Sequence, residues 1–157
     1  MTDTENAPQE QQFSIEKIFV KDISFESPNA PQVFTDKWEP NINFELTTNG
    51  RPLGENHFEV ILGITVKVIC AEKTAYLVEL QQAGIFTMQG FNEVDTNAML
   101  GSFCPNILFP YARENIADLS TRGGFPPLHL APVNFDALYA QHLQQQSEAA
   151  ESEKPVH

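Results

Sequence analysis

The spacing of apolar residues changes once along the chain, and this change constrains the fold more than any other feature. Up to about Met88 the apolar residues fall in four short segments, most of them alternating with polar residues, which is typical of half-buried strands. From about Val94 they recur at the spacing of a helix. Strands followed by helices predict the α+β class: a four-stranded antiparallel sheet with two main C-terminal helices packed on one face.

Turn-forming residues separate the four predicted strands. The strands are expected at Phe13–Phe25, Ile42–Leu46, Phe58–Cys70 and Thr74–Met88. Asn49-Gly50 is a strong turn signal and is predicted to follow the second strand. Gly84 predicts a bulge in the fourth strand and Gly90 its end. Because the turns between strands are short, we expect an antiparallel meander.

The helical half is organised around the stretch Phe103–Ile116, which combines many apolar side chains with two prolines. Asn106 is predicted to cap this helix, with Pro110 in its opening turn. Three apolar residues point away from the main apolar face of the helix, namely Ile107, Leu108 and Tyr111. A single packing partner therefore cannot cover the whole helix.

The chain is expected to form a single domain over residues 1–157, with a folded core over about residues 13–145. Gly123-Gly124 ends the first main helix, and Asn134 caps a last helix that runs to about Gln145. Residues 1–12 and 146–157 are acidic and poor in large apolar side chains. They are predicted to be disordered tails.

The composition argues against several classes of function. A net charge of −12 and a pI of about 4.6 speak against nucleic acid or an anionic membrane surface as the partner. No apolar run approaches the roughly 20 residues that span a bilayer. The acidic N-terminus is unlike a signal peptide. We therefore expect a cytoplasmic protein, a location that also suits two cysteines in no paired motif.

No sequence motif points to catalysis. The four histidines have no metal-ligand spacing, and the sequence contains no nucleotide-binding, nucleophile-elbow or zinc-protease motif. Cys70 with His57, and Cys104 with His129, could in principle form nucleophile–base pairs, although a buried structural cysteine is the commoner case. The sequence therefore predicts no enzyme, no metal site and no cofactor.

Two surface features are more informative. If the first and fourth strands share a sheet, its open face carries one leucine among three acidic residues: Asp22, Glu26, Leu77 and Glu79. The alternative interpretation is that the acidic residues are ordinary polar side chains facing solvent. The second feature is an excess of apolar residues over what a small sheet and two helices bury, namely Trp38, Ile42, Phe44, Leu46, Phe103 and Tyr111. This excess could form a subunit interface, a groove for client chains, or both.

Several blocks of the sequence resemble SecB, the family of bacterial export chaperones. They occur in the order of that family and span about residues 13–145: Lys21–Glu26, Pro28–Pro31, Trp38–Pro40, Thr74–Glu79, Gln81–Phe86, Cys104–Glu114 and Leu130–Tyr139. Both tails, the loop near residues 49–57 and the stretch 89–97 match poorly. Nothing is inferred from the resemblance in those parts.

The resemblance implies an ATP-independent holdase that keeps unfolded secretory precursor proteins competent for translocation and delivers them to the SecA ATPase. It also implies a homotetramer, assembled as a dimer of dimers with the helices between the sheets. Zinc would belong to a short basic tail of SecA and not to this chain. No cofactor, nucleic acid or direct membrane insertion is expected.

The resemblance also implies roles for individual residues. The SecA tail would bind at Asp22, Glu26, Leu77 and Glu79. The tetramer contacts would come from Val78, Leu80 and Gln82. The client grooves would contain Trp38, Ile42, Phe44, Leu46, Phe103 and Tyr111.

Two other functions stay open at this point. One is a SecB-like chaperone that serves a toxin–antitoxin pair, which client profiling would separate. The other is a structural or regulatory oligomer subunit, which would not suppress aggregation of an unfolded protein in the absence of ATP.

Overall fold

Four long strands form one antiparallel sheet in the computed structural model, which describes residues 10–153. The strands are β1 (Gln12–Glu26), β2 (Asn41–Gly54), β3 (His57–Cys70) and β4 (Lys73–Gln89), and their order in the sheet is β1-β4-β3-β2. The predicted four-stranded antiparallel sheet is confirmed. The predicted meander is wrong, because β1 pairs with the last strand and not with the next one, which makes a Greek key.

The helices follow the sheet in one continuous run and one separate segment. α1 (Glu93–Ala98) passes through a π-helical turn (Met99–Phe103) into α2 (Cys104–Arg122), and α3 (Phe135–Ser152) comes after a proline-rich connection. The α+β class is therefore confirmed. Gly124, at φ +89°, follows the end of α2, as the sequence predicted.

The predicted start of the first main helix is wrong. Asn92 caps the helical run, since it has an extended backbone and its side chain accepts a hydrogen bond of 2.7 Å from the Asp95 N–H. Asn106 lies inside α2 and has no free helix end to cap. Pro110 likewise lies within α2 and not in an opening turn. The backbone amides near Asn106 already have hydrogen-bond partners within the helix, because α1 and the π-helical turn run into α2 without a break.

The last helix is longer than predicted. Asn134 caps α3 as expected, its side chain accepting a hydrogen bond of 3.0 Å from the Ala137 N–H. The helix continues to Ser152 and not to Gln145, because the Gln, Glu and Ala residues there are good helix formers. Most of the predicted C-terminal tail is therefore helical. Gln12 of the predicted N-terminal tail is the first residue of β1, and residues 1–9 and 154–157 of the predicted tails lie outside the described residues.

The core lies between the sheet and α2. β3 and β4 are the two central strands, and each buries every second side chain against α2. The fully buried side chains at this interface include Leu62, Ile64, Val66, Val78, Leu80, Phe86, Leu108, Ala112 and Ile116. The helices within residues 10–153 cover only this face of the sheet. Burial of these side chains stabilises the fold by about 25 cal/mol per Å² of apolar surface removed from water.

β1 contains two extra residues, Glu16 and Lys21, at the two breaks in its register with β4. Each is a β-bulge, where one strand has a residue more than its partner. Because side chains alternate along a strand, the extra residue of a bulge changes whether odd-numbered or even-numbered positions face the helices beyond it. The two bulges explain why the apolar residues of β1 fall at both odd-numbered and even-numbered positions of the sequence. On the helix side of β1 lie Phe13, Ile15, Ile18, Val20, Ile23 and Phe25.

Two predictions made from glycines are wrong, and in both cases the glycine permits a close approach instead. Asn49 and Gly50 pair regularly with β3, and the chain turns later, at Asn56, whose φ is 60°. A Cβ on Gly50 would lie 3.1 Å from the Leu100 Cβ. Gly84 also pairs regularly, and a Cβ there would lie 3.1 Å from the Leu108 Cδ2 on α2. These glycines let the helices pack close to the sheet.

Candidate functional site

The face of the sheet away from the helices gathers the four residues predicted to bind the SecA tail. Glu26 pairs with Leu77 across β1 and β4, and two residues further along Ser24 pairs with Glu79. Asp22 follows, opposite Gln81. Directly paired residues point to the same face. The three carboxylates are exposed and Leu77 is half-buried, so the open face has an acidic patch with an apolar centre.

A shallow hollow of about 200 Å³ continues this patch across the sheet. Asp22 and Glu79 line it on one side, and Glu45 of β2 lines it on the other. Thr65 on β3 lies between the two glutamates, because it pairs with Glu45 on one side and with Glu79 on the other. We call these residues, together with Glu26 and Leu77, the acidic face.

Sequence reasoning missed Glu45. The signal was present, since the alternation of β2 puts Glu45 opposite the apolar side chains Ile42, Phe44 and Leu46. Without the strand order, however, the sequence did not show that Glu45 lies in line with Glu79 across the sheet. The row across all four strands exists because β3 lies between β2 and β4.

A buried carboxylate borders the acidic face. Glu59 on β3 accepts hydrogen bonds of 3.1 Å from the Lys21 Nζ at both of its oxygens, and one of 2.8 Å from the Arg51 Nε. Burial alone would raise the pKa of the Glu59 carboxyl, but the hydrogen bonds and charges of Lys21 and Arg51 outweigh it and lower that pKa. Glu59 is therefore ionised at neutral pH and holds two cations.

The charge of the acidic face suits a basic ligand. Four carboxylates lie on it, those of Asp22, Glu26, Glu45 and Glu79. Lys67, beside Leu77, makes no ion pair with any residue in the described range 10–153, and Lys21, beside Asp22, is paired with Glu59. A flat, negatively charged surface with a half-buried leucine can attract a cationic peptide and pack against its apolar atoms.

Trp38 lies in an aromatic cluster at one end of the sheet. Its ring is half-buried and lies 5.5 Å from that of Phe125, which also contacts Phe34 at 5.0 Å and Tyr76 at 4.7 Å. Phe34 is 50% exposed. The cluster therefore has a packed interior and an accessible aromatic edge, which is the kind of surface that takes an apolar side chain.

The stripe Ile42-Phe44-Leu46 lies on the helix side of the edge strand β2, beyond the cover of α2. Ile42 is 43% and Phe44 40% exposed, whereas Leu46 is half-buried against the core. Leu46 also begins a groove of about 650 Å³ between β2, the π-helical turn and α3. Its apolar lining includes Leu46, Leu100, Phe135, Leu138, Tyr139 and Leu143. The stripe and this groove form one continuous surface, here called the β2 groove.

α3 is held to the rest of the chain by its first turn. Phe135 is buried in the core, and Ser102 of the π-helical turn donates a hydrogen bond to the Asp136 carboxylate. The Tyr139 ring lies over Gly101, where a Cβ would come 2.4 Å from the Tyr139 Cδ2. The π-helical turn thus sets the position of the helix that walls the β2 groove.

Phe103 and Tyr111 are exposed but lie apart from the β2 groove and from the aromatic cluster. The Phe103 ring contacts Phe13 of β1 edge to face, with ring centroids 5.2 Å apart. Ile107 and Tyr111 follow Phe103 at helical spacing on α2, and Tyr111 is 48% exposed. The six predicted client residues therefore occupy three separate surfaces and not one groove.

The residues predicted to contact another subunit have no surface for it. Val78, Leu80 and Gln82 lie on the helix side of β4 and are at most 2% exposed in the single chain. Gln82 is bonded to Asn115 of α2 at 2.8 Å. The prediction of direct contact does not fit this placement, because α2 separates these side chains from any partner.

The remaining candidate chemical groups are structural. Burial raises the pKa of the Cys104 thiol to about 12, and Cys70 is buried with its Sγ donating to the Lys37 carbonyl at 3.2 Å. Among residues 10–153, no three His, Cys, Asp or Glu side chains come together as a possible metal site. No helix in that range is long and apolar enough to cross a bilayer.

Comparison with known proteins gives a consistent result. The family model "Preprotein translocase subunit SecB" matches residues 6–146. The protein-export protein SecB of Methylococcus capsulatus is 56% identical over 151 residues, which is 96% of this chain and 97% of the relative. The protein of the same name from Nitrosococcus oceani is 52% identical, covering 96% of this chain and 93% of the relative.

A solved structure supports the fold. The SecB-like chaperone of Mycobacterium tuberculosis, in complex with a peptide from an antitoxin, superposes with a TM-score of 0.61 at 21% identity. The match covers 77% of this chain and 90% of that protein. At this identity the likeness concerns the fold alone. The family match over nearly the full length decides the assignment, and this chain belongs to the SecB family of protein-export chaperones.

Proposed function

We propose that this protein holds unfolded precursor proteins on its apolar surfaces without ATP and passes them to the SecA motor, which it meets through the acidic face. The observation that carries the proposal is the β2 groove. Ile42 and Phe44 are exposed at the edge of the sheet and continue into a groove with a partly apolar lining, although the neighbouring core side chains are fully buried. A monomeric soluble protein has little reason to leave such a surface uncovered.

The shape of these surfaces suits a chain without fixed structure. An unfolded segment presents scattered apolar side chains and unpaired backbone groups, so it needs a long, tolerant surface and not a shaped pocket. β2 is also an edge strand of this sheet, with backbone groups on its outer side that an extended segment can pair with. Wrapping such a segment buries on the order of 1,000–3,000 Å². Apolar burial therefore supplies the binding energy, and no nucleotide is required for it.

The acidic face is proposed as the docking surface for the basic, zinc-binding tail of SecA. Asp22, Glu26 and Glu79 supply charge, and Leu77 supplies an apolar contact between them. Attraction between unlike charges speeds association and weakens with salt. The acidic face and the β2 groove lie on opposite faces of the sheet. One molecule can therefore hold a client and dock on the motor at the same time.

We further propose that the chain assembles as a homotetramer, a dimer of dimers. β1 is the other edge strand of the sheet, and its helix side leaves Ile15, Val20 and Ile23 at least 40% exposed. Pairing of β1 with a second copy would satisfy this edge. The exposed row of α2, Phe103 to Tyr111, would supply a further interface. Val78, Leu80 and Gln82 would then affect assembly through the position of α2.

Several linked grooves on one assembly would strengthen binding. Once one segment of a client is held, the next segment is offered to the neighbouring groove at a high effective concentration. Weak contacts of single segments would therefore add up to a stable complex. The same weak contacts would also exchange quickly enough for the motor to draw the client away.

The double change Ile42→Ala/Phe44→Ala tests the proposal. Leu46 is left in place because it packs against the core. We expect the affinity for an unfolded precursor to fall by about tenfold or more, since two exposed apolar anchors are truncated. Fluorescence anisotropy of a labelled precursor in buffer without ATP measures the affinity, and native mass spectrometry checks the assembly.

Val94→Ala is the matched control, because Val94 is an exposed apolar residue of α1 outside these surfaces. Its affinity for the precursor should equal that of the wild-type protein. Unchanged affinity of the double variant would remove the β2 groove from the proposal. A wild-type protein that binds no unfolded precursor would overturn the proposed function itself.

A further inference from the structure

Glu59 differs from the other carboxylates of the open face because it is almost fully buried. It is 5% exposed and makes three hydrogen bonds to cations, two with Lys21 and one with Arg51. Its two partners come from the outer strands β1 and β2, and β3 lies between them in the sheet order. The two cationic ends therefore converge on one buried carboxylate.

This cluster lies at the border of the acidic face. Lys21 is the bulged residue directly before Asp22, which lines the hollow. Arg51 lies on the same face of β2 as Glu45, since both belong to the alternating set that points away from the helices, but it is six residues, or about 20 Å, further along the strand. Lys21 is thus the cation next to the acidic face, and it is bonded to Glu59 together with Arg51.

The ion pairs of Glu59 with Lys21 and Arg51 should persist in solution, unlike ordinary surface ion pairs. The pairs Lys37–Glu39 and Asp118–Arg122 join exposed side chains, which solvent screens and which are worth little. A carboxylate as buried as that of Glu59 needs its cations, because leaving it unpaired would cost the desolvation of a charge. Two charge-assisted hydrogen-bonding partners meet that need.

We propose that Glu59 is a positioning residue for the acidic face: it holds Lys21 away from the neighbouring carboxylates, which stay free for a basic segment of a partner protein. Without Glu59, Lys21 is repelled by Arg51 and turns to the nearest anion of the acidic face, Asp22. It then occupies the surface that a basic ligand needs. This inference rests on the proposed docking function of the acidic face.

The test measures binding of the isolated zinc-loaded tail peptide of SecA by isothermal titration calorimetry at low salt. Glu59→Gln should weaken binding by about tenfold, because the released Lys21 approaches the site. The triple variant Glu59→Gln/Lys21→Gln/Arg51→Gln removes the released cations and should restore the affinity to within about twofold of wild type. Glu16→Gln, which removes a carboxylate from the same face away from Lys21 and Arg51, is the charge control and should bind like wild type.

The outcomes of this experiment separate the inference about Glu59 from the proposed docking function of the acidic face. If the triple variant stays as weak as Glu59→Gln, the effect of Glu59 is on folding or net charge, and the inference is overturned. If Glu59→Gln binds like Glu16→Gln, it is overturned as well. If the folded wild-type protein does not bind the peptide at all, the docking function fails first.

Glu59→Asp covers the case in which Glu59→Gln does not fold. Its shorter side chain keeps a carboxylate at this position of the open face but cannot reach both cations at hydrogen-bonding distance. We expect it to lose about threefold in affinity for the same peptide. Wild-type affinity of a folded Glu59→Asp protein would count against the inference.

Discussion

The Asn115 side chain on α2 donates a hydrogen bond of 2.8 Å to the Gln82 Oε1 on β4, and Gln82 in turn donates one of 3.2 Å to the Phe19 carbonyl on β1. This partly buried chain of hydrogen bonds joins the helix to two strands. Asn115→Ala would leave the Gln82 oxygen unpaired, which should lower the free energy of unfolding by about 1–3 kcal/mol. Urea unfolding at fixed protein concentration measures the change.

Glu114→Ala is the control for that measurement, since Glu114 is the exposed neighbour of Asn115 on α2. Its unfolding free energy should stay within about 0.5 kcal/mol of wild type. Equal effects of the two variants would mean that the hydrogen bond to Gln82 contributes no measurable stability.

Glu79→Lys should abolish binding of the SecA tail while leaving client binding intact. The change reverses one charge in the middle of the acidic face, between Leu77 and Gln81, and does not touch the helix side of β4. Calorimetry with the tail peptide and anisotropy with an unfolded precursor measure the two activities. Glu114→Lys, the same change on α2, should bind both ligands normally. Wild-type affinity of Glu79→Lys for the peptide would exclude this face as the docking surface.

Glu59 should make the stability of the protein depend on pH in acid. Its pKa is lower in the folded state than the ordinary value of 4.5, because hydrogen bonds from Lys21 and Arg51 exceed the effect of burial. A carboxyl with a lowered pKa stabilises the fold above its unfolded pKa, and this contribution disappears as the pH falls through the folded pKa. The wild-type protein should therefore be more stable than Glu59→Gln by a constant amount from about pH 6 to 8.

Below about pH 4.5 the difference between the two proteins should shrink and then vanish. Urea unfolding of both proteins at a series of pH values gives the curve. A stability difference that stays constant down to about pH 3 would show that Glu59 acts by packing and not by charge.

Gly101→Ala should loosen the attachment of α3 and thereby alter the β2 groove. The added methyl group would overlap the Tyr139 ring, which lies 2.4 Å from the position of such a Cβ. Hydrogen exchange of the α3 amides should become faster, as measured by mass spectrometry. The double variant Gly101→Ala/Tyr139→Ala removes the overlap and should recover part of the protection. Equal exchange in wild type and Gly101→Ala would show that the ring can shift without moving the helix.

Much of the sheet could be predicted from local sequence, because the signals of β3 and β4 lie within single segments. Their alternation and the short turn between Cys70 and Lys73 set one hairpin and its register. The pairing of β1 with β4 could not be obtained in this way, since it joins segments that are distant in sequence. The two bulges in β1 were also hidden, because an extra residue only disturbs the alternation and leaves no motif of its own.

The acidic part of the candidate site was easier to predict than the apolar part. Asp22, Glu26 and Glu79 fall on one face as soon as β1 and β4 are neighbours. The exposure of the apolar residues depends on how far α2 covers the sheet, and the local sequence does not predict this. The helix leaves Ile42 and Phe44 exposed, shields Val78 and Leu80, and carries Tyr111 to its own outer side.

The bulges at Glu16 and Lys21 have a consequence for how this strand tolerates length changes. Deleting Lys21 would restore regular pairing and leave the other side chains of β1 on their present faces, because Val20 and Asp22 already pair with the neighbouring residues Gln82 and Gln81. Ile18 and Val20 would stay on the helix side, and Phe19 would stay on the open face. The strand can therefore lose a residue at a bulge without exchanging its two faces, whereas a deletion in a regularly paired part would exchange them on one side of the deletion.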